Sequence, residues 1–279
     1  MRERPPATSV IKVGGSLLRD ESDYRTIARC LRPELARGAW VVVSAAHGVT
    51  DELEDLARDR RPEAVAALLA RHDRLAGTPL PAPLRSELMS GLREASVAHG
   101  TILAWGERAS AAALQSRLSQ LGVHVRVAEL PWSGLPPIRG AALVAGFYVR
   151  DPNGGVSLMS RGGSDISAVL LAVRLHTPEV RLWKSGGGIH TADATSTIPE
   201  MEGFELLERL GDRIRPLHPS ALRLALRCQI ELILEDPTGA GPPTRIRTGL
   251  RGATATQAAA FPVDDHARAT MPVLELVRP

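Results

Sequence analysis

Lysine is almost missing from this chain: of its 34 basic residues only two, Lys12 and Lys184, are lysine, and arginine supplies the rest. Aromatic residues are also scarce, at 3% of 279 residues, so a core has to be built from Leu, Val, Ile and Ala. Cysteine is limited to Cys30 and Cys228, far apart and in no metal-binding spacing, which argues against a disulfide framework and fits a reducing cytoplasm. The apolar stretch Ala141 to Val149 falls well short of the ~20 residues a membrane-spanning helix needs. Behind the charged start Met1-Arg2-Glu3-Arg4 there is no apolar run long enough for a signal peptide. No block of five or six like charges occurs and the net charge is only +3, so nucleic-acid binding has little support. These absences fit a soluble protein of a reducing cytoplasm.

The 44% hydrophobic content is enough for one large core. The expectation is a single domain over residues 1–279, with its core at about 8–249 and a short tail over 250–279. Val10 to Val13 and Trp40 to Ala45 read as strands buried on both faces. A helix over about Asp23 to Arg37 is expected to bend or split at Pro33. Thr50 is placed to cap a helix from Asp51 to about Arg60. Residues 62–100 look helical with a break at 78–83. Thr101 to Trp105 reads as a strand turning at Gly106-Glu107-Arg108 into an alanine-rich helix that ends at Gly122. Val123 to Leu130 is a further strand, and Ala141–Val149 with Val156–Met159 suggests a hairpin. Ser164 is the expected cap of an apolar helix running to Leu175, and Val180 to Trp183 is a strand ending in a triple glycine. Helices near 203–210 and 220–228, then a strand over Ile230–Leu234, complete the pattern. Strands alternating with helices indicate an α/β fold with a mostly parallel sheet, whose ligands bind at the carboxyl ends of strands.

Three constellations carry chemistry. Lys12, Gly14, Gly15 and Ser16 follow the first strand: paired glycines let a polyphosphate approach the backbone, and an ammonium is a compact phosphate ligand that arginine does not duplicate. Neither a Walker loop nor a dinucleotide fingerprint is present. Arg161-Gly162-Gly163-Ser164-Asp165 joins an arginine fork to a helix start, suited to gripping a carboxylate, though an ordinary helix cap looks the same. Glu107 offers a carboxylate to an ammonium group, and by itself is also an ordinary acid at a helix start. The second lysine, Lys184, likewise stands beside a glycine cluster, Gly186-Gly187-Gly188.

In that order these pieces resemble the amino acid kinase superfamily and, within it, the catalytic domain of aspartokinases. The resemblance runs from about Val10 to about Gly249. It rests on Lys12-Val13-Gly14-Gly15-Ser16, Val41 to Ala45 with Gly48-Val49-Thr50-Asp51, Gly106 to Ser110 and Gly146-Phe147. Arg161 to Asp165, Thr191-Ala192-Asp193 and Leu217-His218-Pro219 complete it. It implies a three-layer αβα sandwich and transfer of the γ-phosphoryl group of ATP to a side-chain carboxylate, giving an acyl phosphate. Aspartate or an analogue is the implied acceptor, with Mg²⁺ carried mainly by the phosphates. Ser44, Thr50, Glu107, Phe147, Arg161 and Ser164 would line the amino-acid site, with Glu107 on the ammonium and Arg161 on the α-carboxylate. Lys12 with Gly14 and Gly15 would take the phosphoryl group, and Asp165 would orient the cations around it. The superfamily also makes a homodimer the expected assembly. The tail Leu250–Pro279 is too short for the ACT domains of aspartokinases, so feedback through such a domain is not expected.

The departures cluster on the nucleotide side. Where aspartokinases carry Thr-Asp-Val-Asp-Gly, this chain has Lys184-Ser185-Gly186-Gly187-Gly188. An aromatic is missing at His190 and an arginine at Thr195. The lysine before Leu217-His218-Pro219 is represented by Arg215, or by Arg213 if two residues are inserted. Two readings stay open: Lys184 supplies the second cation while the triple glycine lets backbone reach the phosphates, or nucleotide binding has decayed and the protein is a silent amino-acid-binding or regulatory protein. Of the remaining residues, His47 could touch the acceptor, and His218, Cys228 and Trp183 read as a turn histidine, inert core and strand-end packing.

Overall fold

The computed structural model describes residues 9–93, 99–160, 162–191, 196–210 and 217–249. Within them one sheet is built from β1 (Val10–Val13), β2 (Trp40–Val43), β3 (Arg126–Pro131), β4 (Ala142–Arg150), β5 (Val156–Leu158), β6 (Glu179–Trp183), β7 (Glu200–Glu202), β8 (Glu231–Glu235) and β9 (Thr244–Arg247). Its order is β3-β4-β2-β1-β6-β8-β9-β7, with β5 paired to β4. From β3 across to β8 every neighbouring pair is parallel. The pairs β4–β5 and β8–β9 are antiparallel, and β7–β9 is parallel.

Helices cover both faces, which is why β1 and β2 are buried at every position and read as unbroken apolar runs. On one face lie α1 (Glu21–Ala36), α2 (Val49–Asp59), α3 (Pro62–Ala76), α4 (Ala82–Arg93) and α5 (His99–Gln120), packed on Ile11, Val13, Val41 and Val43. On the other lie α6 (Gly163–Leu175), α7 (Gly203–Leu210) and α8 (Pro219–Cys228), packed on Val10, Val42, Val144 and Leu182. The result is the three-layer αβα sandwich. Starting from β1, the chain first builds outward to β2 and later returns to the opposite side of β1 as β6. The carboxyl ends of β1 and β6 therefore flank the point where strand order reverses, the crevice in which such sheets bind ligands.

Several local expectations are corrected. α1 runs unbroken through Pro33. Thr101 to Trp105 is helical, not a strand, because α5 already starts at His99. Every residue from Ile102 to Glu107 is buried, so the segment shows an apolar run without helical periodicity, and such a run does not distinguish helix from strand. Glu107 thus sits inside a helix, not at a strand-to-helix turn. α2 and α6 begin at Gly48 and Gly162, both in the left-handed region (φ +77 and +78), so Thr50 and Ser164 lie in the first turn and are not the caps. Strands β7 and β9 arise from segments that carry no strong apolar pattern. His218 caps α8 by accepting from the Ser220 N–H, in keeping with a turn histidine.

Candidate active site

Side-chain alternation explains how two lysines 172 positions apart in sequence come together. Along β1, Val10 faces α6, Ile11 faces away, and Lys12 faces α6 again. Along β6, Leu182 faces α6 and Trp183 faces away, so Lys184 returns to the same face. The two strands are adjacent and parallel with Val13 opposite Trp183, which sets Lys184 beside the turn after Lys12. The Gly14 N–H donates to the Trp183 carbonyl at 2.9 Å, joining the two turns. A Cβ on Gly14 would lie 3.0 Å from that carbonyl, so a side chain here would crowd the junction of the two turns.

Both ammonium groups close on one carboxylate in the first turn of α6. Lys12 Nζ lies 2.8 Å from Asp165 Oδ1 and Lys184 Nζ lies 2.8 Å from Asp165 Oδ2. All three are buried, at 6%, 8% and 4% exposure for Lys12, Lys184 and Asp165. Burial opposes ionisation of Asp165, but the two cations outweigh it and hold its pKa below the usual carboxylate range. Burial pulls the Lys184 pKa down, and Lys12 adds to the pull while Asp165 resists it. The triad carries one net positive charge, suited to an anion.

A cleft of about 410 Å³ opens beside this triad. Its wall includes Lys12, Gly15, Ser16, Ser44, His47, Thr50, Asp51, Glu54, Glu107, Phe147, Gly162, Gly163, Ser164 and Asp165. The starts of three helical segments meet there: the 3₁₀ turn Gly15–Leu17, α2 and α6. Their first N–H groups and dipoles favour anionic ligand groups. Close packing makes the convergence possible. A Cβ on Gly106 would come within 3.0–3.2 Å of Leu53, Val49 and Ala45, so this glycine lets α5 close on α2 and bring Glu107 to the cleft. A Cβ on Gly146 would meet Ser164 Cβ and Val42 Cγ1 at 2.9 Å, so β4 also approaches α6 closely. Phe147 holds φ +72, costly for a bulky residue, with its N–H on Ser167 Oγ and its carbonyl accepting from Met159.

Glu107 is the counterweight in this cleft. It is 3% exposed, and its Oε2 has no hydrogen-bond partner. Burial pushes its pKa up to about 8, against backbone N–H groups and Lys12, which favour the charged form. A buried, unsatisfied carboxyl group facing a cleft is arranged to receive a cation or a donor from a ligand.

The glycine-rich turn after β6 behaves differently from the sequence expectation. The N–H groups from Lys184 to Ile189 are all engaged within the protein. Those of Lys184, Gly187 and Gly188 go to the carbonyls of Glu235, Lys184 and Pro242, and the Ser185 N–H goes to Ser16 Oγ at 3.3 Å. The Gly186 N–H goes to Asp236 Oδ2 at 2.9 Å and the Ile189 N–H to Thr244 Oγ1 at 2.8 Å. Gly188 is explained by packing, since a Cβ there would lie 2.3 Å from Thr244 Oγ1. In this arrangement Ser185, Gly186, Gly187 and Gly188 present no spare N–H to a phosphate. What the turn brings is the Lys184 ammonium, set on Asp165, which lines the cleft. Gly15 and Ser16, by contrast, line the cleft.

Lys12, Lys184, Asp165, Glu107, Ser44, Thr50, Phe147 and Ser164 are thus all brought to one region, with Gly14, Gly15 and Ser16 between them. Arg161, Thr195, Arg213 and Arg215 lie outside the described residues. Trp183 packs at its strand end with its indole N–H on Glu235, and Cys228 is buried core. Sequence reasoning missed Asp236, which braces the Lys184 turn. Its signal was available: an acid directly past a strand, in the turn-forming Asp236-Pro237-Thr238-Gly239.

The family model described as the amino acid kinase family matches residues 7–135 and 139–236. The chain belongs to the amino acid kinase family. Within that family it is aspartokinase-like. It is 25% identical over 240 residues to an aspartokinase of Rickettsia felis, covering 81% of this chain and 57% of the relative. It is 26% identical over 274 residues to an aspartokinase of Chlamydia muridarum, covering 84% of this chain and 62% of the relative. The chain therefore spans about three-fifths of the length of these relatives. Among solved structures, E. coli aspartokinase III in complex with aspartate and ADP superposes with a TM-score of 0.71 at 21% identity, over 86% of this chain and 65% of that one. The complex of the same enzyme with lysine and aspartate gives 0.72 at 22% identity, over 88% and 66%. No described helix of this amino acid kinase domain is long and apolar enough to cross a membrane.

Proposed function

We propose that the chain is an ATP-dependent kinase of an amino-acid side-chain carboxylate, with aspartate or an analogue as acceptor. The observation that carries this reading is the pairing of Lys12 and Lys184 on one buried carboxylate at a cleft where three helical N-termini meet and Glu107 stands unpartnered. The acceptor ammonium would sit on Glu107. Its α-carboxylate would meet the N-terminus of α6, with Arg161 assigned there by the family resemblance. The side-chain carboxylate, already ionised at neutral pH, would then point towards the lysines. One of its oxygens attacks the γ-phosphorus in line, the bond to the bridging oxygen breaks, and ADP leaves with those electrons, so no proton has to move. The work left to the protein is positioning and charge neutralisation, by the two ammonium groups and the Gly15–Ser16 N–H groups.

Aspartate and ADP are bound in one of the similar solved enzymes, which supports ATP as the phosphoryl donor. Among the described residues no three His, Cys, Asp or Glu side chains could hold a metal ion together, and both oxygens of Asp165 are taken by lysine. A magnesium ion would fit this site as the partner of the nucleotide phosphates and would supply charge neutralisation there. Hydroxylamine trapping tests the reading: protein, Mg·ATP and acceptor should yield a hydroxamate. Absence of product across aspartate, its analogues and carrier-bound acids would defeat it. The engaged N–H groups of the Lys184 turn favour one competing reading, a catalytically silent amino-acid-binding protein. It predicts tight amino-acid binding without ATP or ADP binding.

A further inference from the structure

The turn that delivers Lys184 is intrinsically loose. Ser185 is followed by three glycines, two of them at positive φ (Gly186 +85, Gly187 +75), and glycine loses more conformational freedom on ordering than any other residue. Yet Lys184 must hold its ammonium in a buried position, where burial alone works against its charge. A long cationic side chain on a loose turn would relax towards water. Something has to fix the turn.

Its ties to the rest of the protein are unequal. Ser185 is bound to a serine hydroxyl and Gly188 to a carbonyl, both at 3.3 Å. Gly186 donates at 2.9 Å to the carboxylate of Asp236, a charged acceptor and the shortest of the three. Asp236 is itself buried and held in place, because its other oxygen accepts from the Thr238 N–H at 2.9 Å and the Thr238 hydroxyl at 2.6 Å. Directly before it, the Glu235 carbonyl accepts the Lys184 N–H at 2.9 Å. The strand end at 235–236 therefore grips the turn on both sides of Ser185.

We infer that Asp236 is a positioning residue for phosphoryl transfer: by holding the Gly186 N–H it fixes the turn that presents Lys184 to the phosphates. The inference builds on the kinase reading above. Asp236 touches neither Lys184 Nζ nor the cleft wall, so it acts through the turn and not on substrate.

The test compares Asp236→Ala, Asp236→Asn and Thr238→Val with wild type, by hydrogen exchange over residues 184–189 and by kinetics at varied ATP and acceptor. Asp236→Ala should speed exchange in that segment at least tenfold. It should lower kcat/KM for ATP by about 10- to 100-fold, the range expected for losing a hydrogen bond to a charged group, with KM for the acceptor unchanged within about twofold. Asp236→Asn, whose amide oxygen can still accept from Gly186, should recover part of both. Thr238→Val keeps the Gly186 bond and the Thr238 N–H bond to Asp236 and gives up only the hydroxyl bond, so it should lose far less than Asp236→Ala. Unchanged exchange at 184–189 in Asp236→Ala overturns the inference. So does a loss in Thr238→Val as large as in Asp236→Ala, which would show that Asp236 merely shapes its own turn. If Asp236→Ala loosens the segment while wild type turns over no nucleotide, the brace stands and the kinase reading falls.

Discussion

Replacing Asp165 by Asn leaves the fold's covalent geometry almost unchanged but removes the one negative charge between two buried ammonium groups. Each lies 2.8 Å from the lost carboxylate and each is less than a tenth exposed. Removing one partner of a buried ion pair costs about 3–5 kcal/mol, because the other charge stays buried without compensation. Here two cations lose the charge between them and repel each other, and the oxygen of a neutral amide can accept from only one of them. At about 2–4 °C per kcal/mol for a domain near this size, the melting temperature should fall on the order of 10 °C at pH 7. The loss should shrink towards pH 9.5, where Lys184, its pKa already lowered by burial and no longer supported by Asp165, gives up its proton. Tripolyphosphate should restore more stability to the variant than to wild type, since it supplies the missing anion to an emptied cationic cradle. Differential scanning fluorimetry at two pH values, with and without tripolyphosphate, measures all three effects. A variant melting within 2 °C of wild type and indifferent to tripolyphosphate would refute the electrostatic account of the triad.

Three further outcomes are expected. With its pKa at about 8, Glu107 is mostly protonated at pH 7, so an amino acid whose ammonium docks there should release close to one proton. Calorimetry in buffers of different ionisation enthalpy measures this, and Glu107→Gln should abolish it. Gly188→Ala drives a Cβ to 2.3 Å from Thr244 Oγ1 and 2.8 Å from the Thr244 backbone nitrogen; urea unfolding should show a loss of about 1–3 kcal/mol. His72 is buried against Trp105 with its Nε2 unpartnered, and burial lowers its pKa from 6.5 to about 4. Protonation therefore favours the unfolded chain, and stability should decline as pH falls from about 6.5 to 4, a slope that His72→Gln should flatten.

How much of this could be read from sequence depended on whether the relevant constraint was local. The meeting of Lys12 and Lys184 was legible because one lies near the end of an apolar strand and the other directly after one, and period-two alternation sends both to one face. The parallel sheet was legible for a different reason, that unbroken apolar strands alternate with helical segments. Glu107 lines the cleft, but the sequence assigned it the wrong setting, since α5 is buried along Ile102–Glu107 and loses the periodicity that marks a helix. Thr50 and Ser164 have the chemistry of caps, but left-handed glycines at 48 and 162 start their helices two residues earlier. The glycines after Lys184 suggested a phosphate-binding backbone. Asp236 and Pro242 take the Gly186 and Gly188 donors while Gly187 closes back on the Lys184 carbonyl, and no local pattern announces the two long-range hydrogen bonds. Asp236 acquires its role through the same contacts.

The account stands or falls on polyphosphate meeting both lysines while the amino acid binds elsewhere in the same cleft. Calorimetric titration of Mg·ADP and of aspartate into wild type and Lys184→Met tests this most directly. Mg·ADP should bind wild type and weaken at least tenfold in the variant, with the affinity for aspartate unchanged. Tight binding of aspartate by a wild-type protein that takes up no nucleotide would contradict it.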